Sequence, residues 1–526
     1  MFTTLQTATR KWLPLFVLSA AIMIVILDTT LLTVSMREIA ADINTDFTGV
    51  QWIITGYTLV LAAFTITGGR LGDIYGHKRM FILGSILFGV GSFITSISAD
   101  LKMILIGEAL IEGLGAALML PATSSLILSN YRGGDRSLAY GIWGGMAAVS
   151  AVLGPLMGGI ITTYFGWRWG FRINIIVVLL LLIGIKWVTD KQEQPSKPGI
   201  DFVGVGLSAT GLVLLVFGII ETSRHGWFLA STGNLSVAFI MILSGCLIML
   251  IFAWWQVKRS LLGRATVLDR KLFSNNQFTF GIAVMTLFTL AMVGILFGLT
   301  LFIQSSLKLN ALRSGLALLP VSVAVLAFAP LSSYLTRRSV SKIIIQWGIA
   351  IAIVSSVVIY FSISRSTSLI SLAPGLSLLG AGAGLVVAQL SNLTLSAVSL
   401  KNAGAAAGVN NTFRQIGTTI GLALVGTILV STITASSISR VRESNVIPGF
   451  IKSFAVQEIN ELRASGKILE ASNQRRRVYA LPSPIRNEIR DIAYDSLVQG
   501  MRNIIIIMGL VMALALFMTR FLPNYP

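Results

Sequence analysis

Charge is scarce in this sequence. Only 12% of its 526 residues are Asp, Glu, Lys or Arg, about half the share of an ordinary soluble chain, so the protein is not expected to dissolve in water. Cysteine is nearly absent: Cys246 has no partner in the chain, which excludes a disulfide-stapled secreted scaffold. With two histidines, no paired Cys/His metal motif is present, and neither a metal nor any other cofactor is expected. The phosphate-binding pattern GxxxxGK[ST] is missing, which argues against direct ATP drive. No nucleophile, base and orienting group can be read as a cluster, so an enzyme is not expected.

Apolar residues, by contrast, abound. They make up 54% of the chain, and the mean hydropathy is +0.82. They fall in runs such as Leu13 to Val34, Leu369 to Leu390 and Asn503 to Phe521, each long enough to cross a bilayer's hydrocarbon core. The expectation is an all-α integral membrane protein of about fourteen spans. Their cores lie near 13–36, 50–69, 80–98, 103–129, 138–164, 172–189, 203–222, 234–256, 278–303, 314–335, 343–362, 369–396, 404–432 and 501–521. The first run is too long for a signal peptide and has no small-residue cleavage site, so it reads as a retained span.

An even number of spans puts both termini on one side. Lysine and arginine choose that side: roughly twenty lie in the loops and tails on it, against roughly eight in the short loops opposite. Both ends are therefore expected in the cytoplasm, in the cell (inner) membrane. The net charge of +19 then reflects topology, and no nucleic-acid partner is expected.

Two stretches break the pattern of spans. Thr189 to Asp201 is polar and contains proline, as an inner linker would be. Residues 433–500 form the only sizeable soluble segment, in which Ile451 to Leu462 and Ile485 to Met501 space apolar residues three and four apart. Amphipathic helices lying on the outer membrane face are expected there, a solvated loop being the alternative. The halves also echo each other: GRLGDIYGHKR from Gly69 and SYLTRRSVSK from Ser333 both follow a second span, with Lys78 matching Lys342. Two six-span lobes separated by two extra spans would explain this, giving lobes at 1–190 and 278–526 and a linker at 191–277.

Four motifs, in order and on the right spans, make the chain resemble the major facilitator superfamily, and within it the fourteen-span drug:proton antiporters. They are LDTTLLTVSM in the first span, GRLGDIYGHKR after the second, VLGPLMGGII in the fifth and GVNNTFRQIGTTIG in the thirteenth. The resemblance implies an inner gate at Gly69, Asp73, Gly76, Lys78 and Arg79, with Asp73 meeting the start of the thirteenth span. It also implies an exporter signature at Gly154, Pro155, Gly158 and Gly159. The glycines there allow close helix approach, and Pro155 favours a kink, which suits either a sliding contact between lobes or simple tight packing.

Acids inside the membrane are the remaining signal. Asp28 sits about midway along the first span, where a charge costs at least roughly 2.5 to 3.5 kcal/mol, so it is expected to face the central cavity or hold a proton part of the time. In GEALIEGLGAALMLP of the fourth span, Glu108 stands where the family has Arg and Glu112 where it has Gln. Arg172, at the start of the sixth span, is a possible charge partner for Glu108; alternatively both glutamates face a cationic substrate. Arg414 is the clearest intramembrane charge of the second half, with Asn392, Asn411 and Gln415 as further cavity candidates.

The resulting expectation is a monomeric, proton-coupled secondary exporter of lipophilic or amphipathic, cationic compounds working by alternating access. Its partners would be that small molecule, protons and membrane lipids. The alternatives are a lipid or lysolipid translocator of the same fold and, remotely, a membrane-embedded enzyme or receptor.

Overall fold

The computed structural model describes residues 2–131, 133–190, 201–225, 235–264, 266–267, 273–307, 309, 311–335, 340–365, 367–397, 403–464 and 482–523. Each of the fourteen expected spans falls in a helix. In the first half these are α1 (Phe2–Val34), α2 (Phe47–Tyr75), α3 (His77–Ser96), α4 (whose last part is Gly113–Asn130), α5 (Gly133–Tyr164) and α6 (Arg168–Gly184). An extra pair, α7 (Phe202–His225) and α8 (Val237–Leu261), comes next. The second half has α9 (Asn276–Ser306), α10 (Ala311–Leu335), α11 (Ser341–Ser362), α12 (Leu369–Ser396), α13 (Ala403–Glu443) and α14 (Ser483–Met518). Twelve of them are long and apolar enough to cross a membrane; α2 contributes the shorter apolar stretch Gly49–Thr65, and α5 runs for 32 residues.

The face that holds the start of α1 and the end of α14 is called here the near face. The repeated lysines do the same job in each half there. Lys78 Nζ donates to the carbonyl of Val188, just past the end of α6, at 2.8 Å, and Lys342 Nζ donates to that of Leu522, just past α14, at 2.7 Å. A cation at those ends satisfies carbonyls that the helix leaves free and opposes its dipole. The stretch from Gly69, which the sequence places after the second span, continues α2 to Tyr75, and the chain turns at Gly76, whose φ of 100° suits glycine.

Toward the near face each bundle has its own apolar core, Leu15 to Val188 forming the one in α1–α6. Toward the far face the cores merge: Leu31, Ile53, Trp167 and Phe171 of the first bundle pack with Phe288, Leu318 and Leu429 of the second. Hydrogen bonds between bundles lie there too. Gln304 Nε2 donates to the Val34 carbonyl at 2.8 Å, and Gln51 Nε2 to that of Leu422 at 3.2 Å. The α7–α8 pair lies alongside this junction: Leu212 and Val216 of α7 pack on Leu59 of α2 and Ala423 of α13. One face of α8, with Leu243, Leu250 and Trp254, stays exposed, as a lipid-facing helix would.

At the far face α13 and α14 continue well past the bilayer. Their 41 and 36 residues reach about 62 and 54 Å, against about 30 Å of hydrocarbon. The expected helix at 451–462 is present as Gly449–Ala464, but the one at 485–501 is no separate surface helix. Nothing between Val498 and Asn503 breaks the helix, and Gly500 packs on Leu429, so the segment runs straight into the last span. Arg365, between α11 and α12, ties this stalk down through Asp491 and Asp495 at 3.2 and 2.6 Å.

Candidate functional site

Asp28, Glu108 and Glu112 come together inside the first bundle. All three are buried, and each offers a carboxylate oxygen within 4.8 Å of the others. Glycine makes the convergence possible. A Cβ on Gly91 of α3 would lie 2.5 Å from the Gly107 carbonyl and 2.6 Å from the Glu112 amide, so the third and fourth spans touch through bare backbone. On the other side, a Cβ on Gly56 of α2 would meet the Ala109 methyl at 3.0 Å. The fourth span widens between these contacts: Leu101–Ile104 leads into a π-helical stretch, Leu105–Glu112, that carries both glutamates. Such widened turns are rare and recur at functional sites.

Three residues that the sequence reading passed over complete the site. Asn174 Nδ2 of α6 lies 2.8 Å from Asp28 Oδ1 and 3.2 Å from Glu112 Oε1, and Ser92 Oγ of α3 donates to the same Glu112 oxygen at 2.8 Å. Tyr57 of α2 is fully buried with its hydroxyl unpartnered, and its backbone carbonyl lies against Gly113, next to Glu112. The available signals were faint: one Asn in an otherwise apolar run and one Ser beside a glycine.

Donors are too few for the acceptors. Asp28 Oδ2, both Glu108 oxygens and Glu112 Oε2 have no hydrogen-bond partner, and no cation pairs with any of the three among the described residues. Three carboxylates this close in a dry interior cannot all be ionised together. Protons shared between neighbouring carboxyls would satisfy the free oxygens, and the three would then titrate as one unit.

Arg172 does not join them. It precedes Asn174 by two residues, about 200° around the helix, so with Asn174 facing the acids it points away. Its guanidinium lies 5.1 Å from the Trp169 ring centroid. Nor does Asp28 face a cavity between the bundles: five of the first bundle's six spans enclose the acids, which leaves Glu108 and Glu112 no open face toward a substrate.

The fifth-span signature does lie between bundles. Gly154 packs on Thr30 and Gly158 on Leu31 of α1, while Gly315 of α10 lies against the Pro155 carbonyl. Near the far end of this seam, the Leu312 amide donates to Thr163 Oγ1 at 3.3 Å. Gly159 is buried in the same helix. At the gate motif, Gly69 approaches Pro121, the Lys78 amide donates to Asp190 at 2.9 Å, and Arg79 is exposed. The side chain of Asp73 lies outside the described set, as does that of Asn392. In the second half Arg414 is half-buried and reaches Asn411 Oδ1 at 3.4 Å; Gln415 is half-buried beside it.

Residues 18–422, well over half of the chain, match the sequence profile of the Major Facilitator Superfamily. The chain belongs to that superfamily. It is thus a membrane transporter and not an enzyme. A probable actinorhodin transporter of Streptomyces coelicolor is 29% identical, over 80% of this chain and 72% of that protein. The multidrug resistance protein Stp of Mycobacterium tuberculosis is 25% identical over 93% of this chain and 88% of its own length. Among solved structures, a bacterial homologue of the human lysosomal transporter Spinster, inward-facing and occupied, covers 97% of this chain at 15% identity with a TM-score of 0.57, a likeness of fold.

Proposed function

We propose that this protein is a proton-coupled secondary exporter of lipophilic or amphipathic compounds. The observation that carries the proposal is the cluster of Asp28, Glu108 and Glu112, buried in one bundle without a cation. The site is too enclosed for an organic molecule and chemically suited to protons. Its relatives support export as the direction: they include the tetracenomycin C resistance and export protein of Streptomyces glaucescens, 28% identical over 80% of this chain. The carboxyls do not themselves select a cationic substrate. Selection belongs to the space between the bundles, with Arg414, Asn411 and Gln415 on its second-half side.

In this reading the protein is a monomer in the cell's inner membrane with the near face in the cytoplasm, an orientation supported by the excess of lysines and arginines on that side. The lobes at 1–190 and 278–526 rock about the α5–α10 seam, and the linker spans within 191–277 ride beside it. The gate at Gly69, Asp73, Gly76, Lys78 and Arg79 closes the near face in the alternate state.

Asp28→Asn tests the coupling, because it keeps the shape and removes the titratable group. Puromycin is the probe, since the puromycin resistance protein pur8 of Streptomyces alboniger is 29% identical over 80% of this chain: in proteoliposomes its efflux driven by an imposed pH gradient should fall to background, while exchange of labelled for unlabelled puromycin persists. Efflux at the wild-type rate would falsify the assignment.

A further inference from the structure

We infer that Asp28, Glu108 and Glu112 also form a binding site for a divalent cation of calcium's size, taken up in exchange for protons. The inference rests on reading the cluster as a site that exchanges its protons with solution during transport. Three oxygens no further than 4.8 Å apart can surround one ion, since opposite ligands of an ion bound at about 2.4 Å are about that far apart. Calcium takes six to eight oxygens in flexible geometry, whereas magnesium demands a tighter octahedron and keeps its waters. The supply here is all oxygen: six carboxylate atoms, four of them unpartnered, with the hydroxyl of Ser92 at the rim.

The second, independent pointer is Tyr57. It belongs to a different helix, is fully buried and makes no hydrogen bond through its hydroxyl, and its backbone packs on Gly113, next to Glu112, just as neighbouring Gly56 packs on Ala109, next to Glu108. A buried hydroxyl is seldom left idle, and a bound ion would give it a partner. Charge also favours a divalent ion. One such ion displaces two protons and leaves the third shared, so the site's net charge is the same in both states.

Equilibrium binding of radioactive calcium to the full chain in nanodiscs of zwitterionic lipid, at mildly alkaline pH, tests this. One saturable site per chain is expected in the wild type, absent in Glu112→Gln and weakened by roughly 10- to 100-fold in Tyr57→Phe, the usual range for loss of a supporting group. Should Glu112→Gln not fold, Tyr57→Phe, which keeps the ring, decides alone. No saturable binding in the wild type, or binding that neither substitution alters, would overturn the inference. Wild-type calcium binding together with pH-driven efflux by Asp28→Asn would sink the proton reading and leave the metal site standing; proton-driven efflux without calcium binding would do the reverse.

Discussion

Among the described residues carboxylates are buried at two places, and the two are built in opposite ways. At the start of α7, Asp201 accepts from the Gly204 amide at 2.9 Å, Trp255 Nε1 at 3.0 Å and Gln256 Nε2 at 2.8 Å, and Arg259 stands 3.6 Å away. In the first bundle, three acids share one amide and one hydroxyl, and four of their oxygens have no partner. The degree of burial is alike. What differs is the supply of donors, and with it the role. An acid saturated by donors staples the α7–α8 pair in one arrangement, whereas acids left short must take a proton or an ion from elsewhere.

The largest expected effect tests that contrast directly. Asp201→Ala takes one acceptor from Trp255, Gln256 and Arg259 together and should cost about 3 to 5 kcal/mol, the usual penalty for breaking a buried pair. Glu112→Gln removes like-charge repulsion and should leave the thermal midpoint in nanodiscs unchanged or raised, while abolishing pH-driven efflux. Equal losses of stability in the two variants would erase the distinction. Next in size are the two lysine clamps. Lys78→Met should cost about 1 kcal/mol, the net worth of one such hydrogen bond, and Lys342→Met, which loses bonds to both the Arg520 and Leu522 carbonyls, about 2 kcal/mol; the double variant should lose the sum because the sites are in separate bundles. Non-additivity would mean that the near ends of the bundles are coupled after all. The smallest effect concerns the pair that does not form: Glu108→Gln and Arg172→Gln should combine additively within about 0.5 kcal/mol in a double-mutant cycle. A larger coupling would put the two residues in contact and contradict the position of Arg172 over Trp169.

Much of this was legible in one dimension. A span announces itself by an apolar run of fixed length, and all fourteen coincide with helices. The pairing of Lys78 with Lys342 was visible as a repeat, and the structure supplies its meaning, since each holds the end of its own half. Asp28, Glu108 and Glu112 stood out because charge in an apolar run is costly. Asn174 and Ser92 did not, being cheap to bury and common in helix contacts. The stalk was misread for a related reason: three-and-four spacing marks a helix with one apolar face, but not whether that face rests on lipid or on another helix.

Hydropathy and motif order thus determined the class of molecule, its apolar helices and the acids that stand out within them, because the bilayer imposes a one-dimensional rule on any chain that spans it. Which acids meet, and what they face, was decided only by packing. The glycines at 56, 91 and 107 allow helices to touch along their backbones, and the π-helical stretch re-aims the fourth span. Together they turn Glu108 toward Asp28 and away from both Arg172 and the space between the bundles. Direction around a helix axis depends on its neighbours, and neighbours exist only once the chain has folded.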